Sequence, residues 1–129
     1  MTIGTTRKQV VQAYIEGFRR TDHDMILSCL ADDISWLIHG YRTLDGKDAF
    51  DAEIENDAAT GSPTLHLQQL IEESDTVVAI GQGQMTLKVG GPVDFVFAEA
   101  FTFRDDKISR IETFHINLSA NDVLNASDA

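Results

Sequence analysis

The first apolar pattern along the chain has the period of a helix. Val10, Val11, Tyr14, Ile15 and Phe18 recur at three-and-four spacing, which puts them on one helical face. Thr6 and Gln9 stand at capping-box spacing, so a first helix is predicted from about Thr6 to Arg20. Asp22 can cap a second, short helix that turns Met25, Ile26, Cys29 and Leu30 inward. A strand is predicted over Ile34–His39. Asp45-Gly46 then leads into a third helix, with Phe50 and Ile54 inward and Asp51, Glu55 and Asp57 on a solvated face.

After Gly61-Ser62-Pro63 everything reads as strand. Thr64–Glu73, Thr76–Val89, Val93–Arg104 and Lys107–Leu118 are β-rich, separated by Ser74-Asp75, Gly90-Gly91-Pro92 and Asp105-Asp106. Such short separators predict hairpins, and so an antiparallel sheet. Helices followed by a long meander make an α+β arrangement. Strands of this length twist and curl. A helix across the concave face of a curled sheet encloses a conical cavity. The predicted fold is therefore a cone-shaped roll, three N-terminal helices packed on a curved antiparallel sheet. Gly81 and Gly83 fit a strand that bends or bulges. No linker divides the chain, so one domain is expected over residues 1–129, its tail fraying from about Ser119.

Composition narrows the function. With 129 residues, 43% apolar and 24% charged, the chain can build one core and is neither disordered nor a coiled coil. No apolar run approaches the roughly 20 residues that span a bilayer. The amphipathic pattern begins without a signal-peptide core, which points to the cytoplasm. Ten basic against 21 acidic residues give a net charge of −11. That surface repels phosphate backbones and anionic lipid, so neither nucleic acid nor membrane is expected as a partner. Lone Cys29 excludes an internal disulfide and reads as a small buried hydrophobe. Phosphate-loop, calcium-loop and His-Glu-x-x-His patterns are missing, so no cofactor and no metal are signalled.

The chemistry concentrates in Phe95-Val-Phe-Ala-Glu-Ala-Phe-Thr-Phe103. Alternation puts Phe95, Phe97, Glu99, Phe101 and Phe103 on one face, and Val96, Ala98, Ala100 and Thr102 on the other. Both faces are largely apolar, so cover on both sides is expected. Glu99 then projects from a phenylalanine row, where desolvation raises a carboxyl pKa. A carboxylic acid kept neutral can donate a hydrogen bond to a developing oxyanion, the device for which ketosteroid isomerase is the standard example. The plainer alternative pairs Glu99 with Arg110 of the next strand at a subunit interface. That next strand turns Ile111, Thr113 and His115 to one face, so His115 could carry a proton or be merely structural.

The segment VVQAYIEGFRRTDHDMILSCLADDISWLIHG resembles the N-terminal third of the ketosteroid isomerases and the SnoaL-like polyketide cyclases, of the nuclear transport factor two-like superfamily. The later DGKDAF and the long strands behind it fit the same pattern, whose fold is cystatin-like. The resemblance implies a homodimer. It implies Tyr14 and Glu99 as oxyanion donors, while the position of the family's base falls on Ile38, which moves no proton. His39, next to it, would point to the opposite face. The proton-transfer role is then open to His115, which would face the pocket, or to His39 at the pocket's edge. Trp36, on the face of Ile34 and Ile38, would line the cavity or pack in the core, its indole N–H needing a partner. Phe97, Phe101 and Thr113 complete the expected lining. Gln82 and Gln84 share one strand face, either as pocket groups or as an exposed row. His23 and His66 read as surface or structural residues. The functions left standing are a cofactor-independent isomerase or cyclase acting on a hydrophobic carbonyl compound, and a non-catalytic binding protein for a small apolar ligand. The outward Val96, Ala98 and Ala100 add self-association across the sheet.

Overall fold

The computed structural model describes residues 6–55 and 58–118. The expected frayed tail over 119–129 and the expected acidic position Asp57 lie outside the described residues. The order of elements is α1 (Arg7–Arg20), α2 (His23–Leu27), β1 (Leu30–Ile38), β2 (Arg42–Asp45), α3 (Lys47–Ile54), β3 (Ala59–Glu73), β4 (Thr76–Leu87), β5 (Gly91–Arg104) and β6 (Lys107–Leu118).

Helix α1 starts at the expected capping box. The Thr6 hydroxyl accepts from the Gln9 N–H at 3.1 Å, and the Gln9 amide oxygen accepts from the Thr6 N–H at 2.8 Å. It stops at Thr21, which adopts a left-handed conformation. Asp22 then caps α2 by accepting from the Met25 N–H at 3.0 Å. The two helices meet at Gly17, where an added Cβ would lie 2.6 Å from the Ile26 side chain. A glycine inside α1 costs helix propensity but lets α2 pack directly on it.

The strands form one six-stranded sheet in the order β2-β1-β6-β5-β4-β3. Consecutive strands from β3 to β6 pair as antiparallel hairpins, as expected. The expectation of a wholly antiparallel sheet fails at one seam, because β1 runs parallel to β6. The chain leaves β1 through the short hairpin to β2 and crosses by α3 to the far edge. The meander then returns β6 alongside β1 in the same direction. Strand β1 starts earlier than predicted, since Ile108 donates its N–H to the Cys29 carbonyl at 2.9 Å and Leu30 pairs with Ile108. Strand β3 runs through Gly61-Ser62-Pro63 instead of starting after it. It lies at the sheet edge, where a proline breaks no ladder to a further strand, and its register shifts between Thr60 and Thr64.

The helices cover the concave face. Val11, Tyr14, Ile15, Ile26 and Phe50 from the helices bury against Ile34, Val77, Phe101, Phe103, Ile108 and Ile111 from the sheet. Cys29 is buried among them. The outer face carries Val96, Ala98 and Ala100, which are half-buried, so within one chain only the concave side of β5 is fully covered. No helix among the described residues is long and apolar enough to cross a membrane.

Candidate functional site: a floored cavity under the helices

Each strand changes character along its length. On β5, Phe103 and Phe101 belong to the core, whereas Glu99, Phe97 and Phe95 line open space. On β6, Ile108 and Ile111 are core, whereas Thr113, His115 and Asn117 line the same space. On β1, Ile34 is core and Trp36 marks the boundary. The result is a cavity of about 790 Å³ whose floor is the row Trp36, Thr113 and Glu99.

The floor is hydrogen-bonded in sequence. The Trp36 indole N–H donates to Thr113 Oγ1 at 2.8 Å, and the Thr113 hydroxyl donates to Glu99 Oε2 at 2.6 Å. Trp36 stacks on Phe50 with centroids 4.3 Å apart, which fixes the indole plane. Glu99 is 9% exposed. Burial pushes its carboxyl from the ordinary 4.5 up to about 7, against the opposing pull of the Thr113 bond. Within one chain Glu99 does not pair with Arg110, which lies on the outer face beside Glu112.

Tyr14 comes down from α1 onto this floor. Its ring packs edge-on against Phe101 at 5.1 Å and beside Phe18 at 5.0 Å. Its hydroxyl is the buried side-chain polar atom that finds no hydrogen-bond partner among the described residues. Burial holds the phenol well above its ordinary pKa, and the nearby Glu99 carboxyl adds to that.

The other expected residues divide. Phe97 and Ile38 line the wall. Phe101 does not, since it is fully buried beneath the floor against Tyr14. His115 faces the cavity from its open end, exposed, stacked on Phe95 at 4.5 Å and hydrogen-bonded to Asn117 at 2.7 Å. His39 borders the mouth, but its ring turns outward as expected, bonding Glu112 at 2.8 Å and stacking on Phe114. Gln82 and Gln84 lie on the outer face, exposed, and Gln84 bonds Asp94 at 2.9 Å. They pair with Val96 and Asp94, so strand alternation takes them away from the cavity. His66 is exposed. His23 is structural, its two ring nitrogens reaching Asp51 at 2.5 Å and Glu55 at 2.7 Å to tie α2 to α3.

Gly81 and Gly83 keep a continuous register with β5, and the irregularity near them lies in β3, between Leu67 and Gln69. An added Cβ at Gly81 would meet the Phe97 ring at 2.8 Å, and one at Gly83 would meet the Phe95 ring at 2.8 Å. The absence of a side chain at both positions therefore leaves room for those rings against β4. Phe18 and Phe95 were not among the expected lining. Phe95 was findable as the next member of the Glu99 face, and Phe18 as the end of the α1 stripe. Among the described residues, no group of three or more His, Cys, Asp or Glu side chains is placed to hold a metal ion.

The solved structures that resemble the chain include a nuclear transport factor two-like protein of unknown function from Burkholderia pseudomallei K96243. It is 21% identical, with a TM-score of 0.78 over 95% of this chain and 98% of that one. A protein with a ketosteroid isomerase-like fold from Catenulispora acidiphila DSM 44928, in complex with trimethylamine, is 17% identical, with a TM-score of 0.76 over 95% of both chains. TerC, co-crystallised with polyporic acid, is 22% identical, with a TM-score of 0.74 over 95% of this chain and 98% of that one. At these identities the likeness is one of fold. No curated protein matches the chain. The SnoaL-like domain family matches residues 11–111, and the chain belongs to that family.

Proposed function

We propose that the chain is a small-molecule pocket protein that moves a proton at carbon on a hydrophobic carbonyl compound, without a cofactor, as an isomerase or cyclase does. The observation that carries this reading is the buried Glu99 carboxyl on the cavity floor, within electrostatic reach of the unpartnered Tyr14 hydroxyl. A carbonyl oxygen seated there accepts from both groups. As a proton leaves the neighbouring carbon, charge builds on that oxygen, and donors fixed in a dry site stabilise it. His115, two residues beyond Thr113 on the same face and open to solvent, carries the proton out. Solved proteins of this fold that hold trimethylamine and polyporic acid support a small organic ligand.

The test needs no knowledge of the natural substrate. Hydrophobic ketones with acidic α-hydrogens are incubated with the protein in deuterated water, and deuterium uptake at the α-carbon is followed. The reading expects uptake, slowed about 100-fold in Tyr14→Phe and about 100-fold or more in His115→Ala with binding nearly intact. A second reading is a binding protein without turnover, favoured by the apolar Ile38 at the position of the family's base. Ketones that bind the cavity but gain no deuterium with any variant would establish it over the first.

We also infer a homodimer formed through the outer face of the sheet. Ile71, Phe114 and Ile116 are exposed there, next to half-buried Val96, Ala98 and Ala100.

A further inference from the structure

The order of hydrogen bonds along the floor has a direction that can be deduced. An indole N–H only donates, so Thr113 Oγ1 is an acceptor toward Trp36 at 2.8 Å. A hydroxyl has one proton and two lone pairs; with one lone pair taken by the indole, Oγ1 directs its proton at Glu99 Oε2, 2.6 Å away. Oε2 is thereby an acceptor. A protonated carboxyl accepts best at its carbonyl oxygen, which leaves the acidic proton on Oε1. Thr113 is the hydrogen-bond partner of Glu99 among the described residues, and Glu99 borders the cavity.

We propose that Trp36 and Thr113 are positioning residues for Glu99, their N–H···O–H···O chain turning the carboxyl so that its proton is held and exchanged at Oε1, on the ligand side. The proposal rests on the reading of Glu99 as the group that meets the ligand oxygen. Without Trp36 both lone pairs of the Thr113 hydroxyl are open, and it turns more readily to accept from a protonated Glu99. That would satisfy the acid with a protein partner and withdraw its proton from the ligand. The Trp36 stack on Phe50 and the pairing of Glu99 opposite Thr113 hold both ends of the chain in place. The Thr113 bond also works against the effect of burial on Glu99, as a hydrogen bond to the charged form should.

The experiment titrates the Glu99 carboxyl carbon by NMR in the full chain, with the signal assigned through Glu99→Gln. Thr113→Val removes the donor at nearly constant volume. It should raise the Glu99 midpoint by about one unit, a tenfold shift in the protonation equilibrium. Thr113→Ser should restore the parent value. Trp36→Phe should raise the midpoint in the parent chain and add nothing once Thr113→Val is present, because Trp36 acts through that hydroxyl. If Thr113→Val fails to fold, Thr113→Ala gives the same comparison with Thr113→Ser. A midpoint unmoved by loss of the hydroxyl overturns the proposal. So does an equal Trp36→Phe shift in both backgrounds, which would mean that the indole acts by burial alone. Neither result depends on turnover, so a pocket that proves non-catalytic leaves this test standing, and a failed relay leaves the deuterium assay standing.

Discussion

Glu99 links protonation to folding. Its carboxyl titrates at about 7 in the folded chain against an ordinary 4.5. Between those values the native state keeps a proton that the unfolded chain has released. Stability is therefore fully present below about pH 4.5 and is lost as pH rises through 7, by about 3 kcal/mol in total. Glu99→Gln removes the titration while keeping the shape. Urea unfolding at pH 4.5 and pH 8 should show the variant gaining on the parent by roughly 1–3 kcal/mol at the higher pH. An equal difference at the two pH values would mean that Glu99 is solvated or paired with a cation. The burial of this residue was legible, because alternation alone set it in a row of phenylalanines. The satisfied indole of Trp36 and the unsatisfied hydroxyl of Tyr14 were not, since a side chain's partner depends on register and rotamer rather than on residue type.

At the scale of elements, the turn at Asp105-Asp106 and the helix caps were readable from local chemistry, and what escaped depended on partners distant in sequence. The β5–β6 hairpin shows how. Its register starts with Arg104 opposite Lys107 and Phe103 opposite Ile108. Continued without a break, it would set Glu99 opposite Glu112. A shift between Thr102 and Phe103, held by the Ser109 hydroxyl donating to the Thr102 carbonyl at 3.2 Å, moves Thr113 opposite Glu99 instead. One irregular residue thus decides whether the buried acid faces a like charge or a donor. The short strand β2 went unseen for a related reason. Its four residues pair with β1 but are half-exposed or exposed, so they carry no periodic apolar signal. Helix α3 was legible from Phe50, but the tie from His23 to Asp51 and Glu55 joins residues 28 and 32 positions apart. Gly17 likewise carries no local signal within α1, and its reason is Ile26, which occupies the space of its missing Cβ.

For the molecule as a whole, the cone and its cavity followed from helices laid over long curling strands, and the resemblance pointed the same way. The parallel seam between β1 and β6 was invisible, because pairing of sequence-distant strands leaves no local trace. The outer face of the sheet matters at this scale too. Phe114 is 47% and Ile116 62% exposed, a large apolar area for a folded chain to leave in water. Light scattering should give twice the mass of one chain, falling to a single chain in Ile116→Asp. A monomeric parent protein would remove the homodimer. The proposed function requires that this cavity keep a carboxylic acid protonated near neutral pH to meet a ligand oxygen. Carbon-13 titration of the Glu99 carboxyl, with and without a small hydrophobic phenol, tests it most directly. The prediction is a midpoint near 7 that moves when the phenol binds. A midpoint at the ordinary 4.5 or below, unmoved by the phenol, would contradict it.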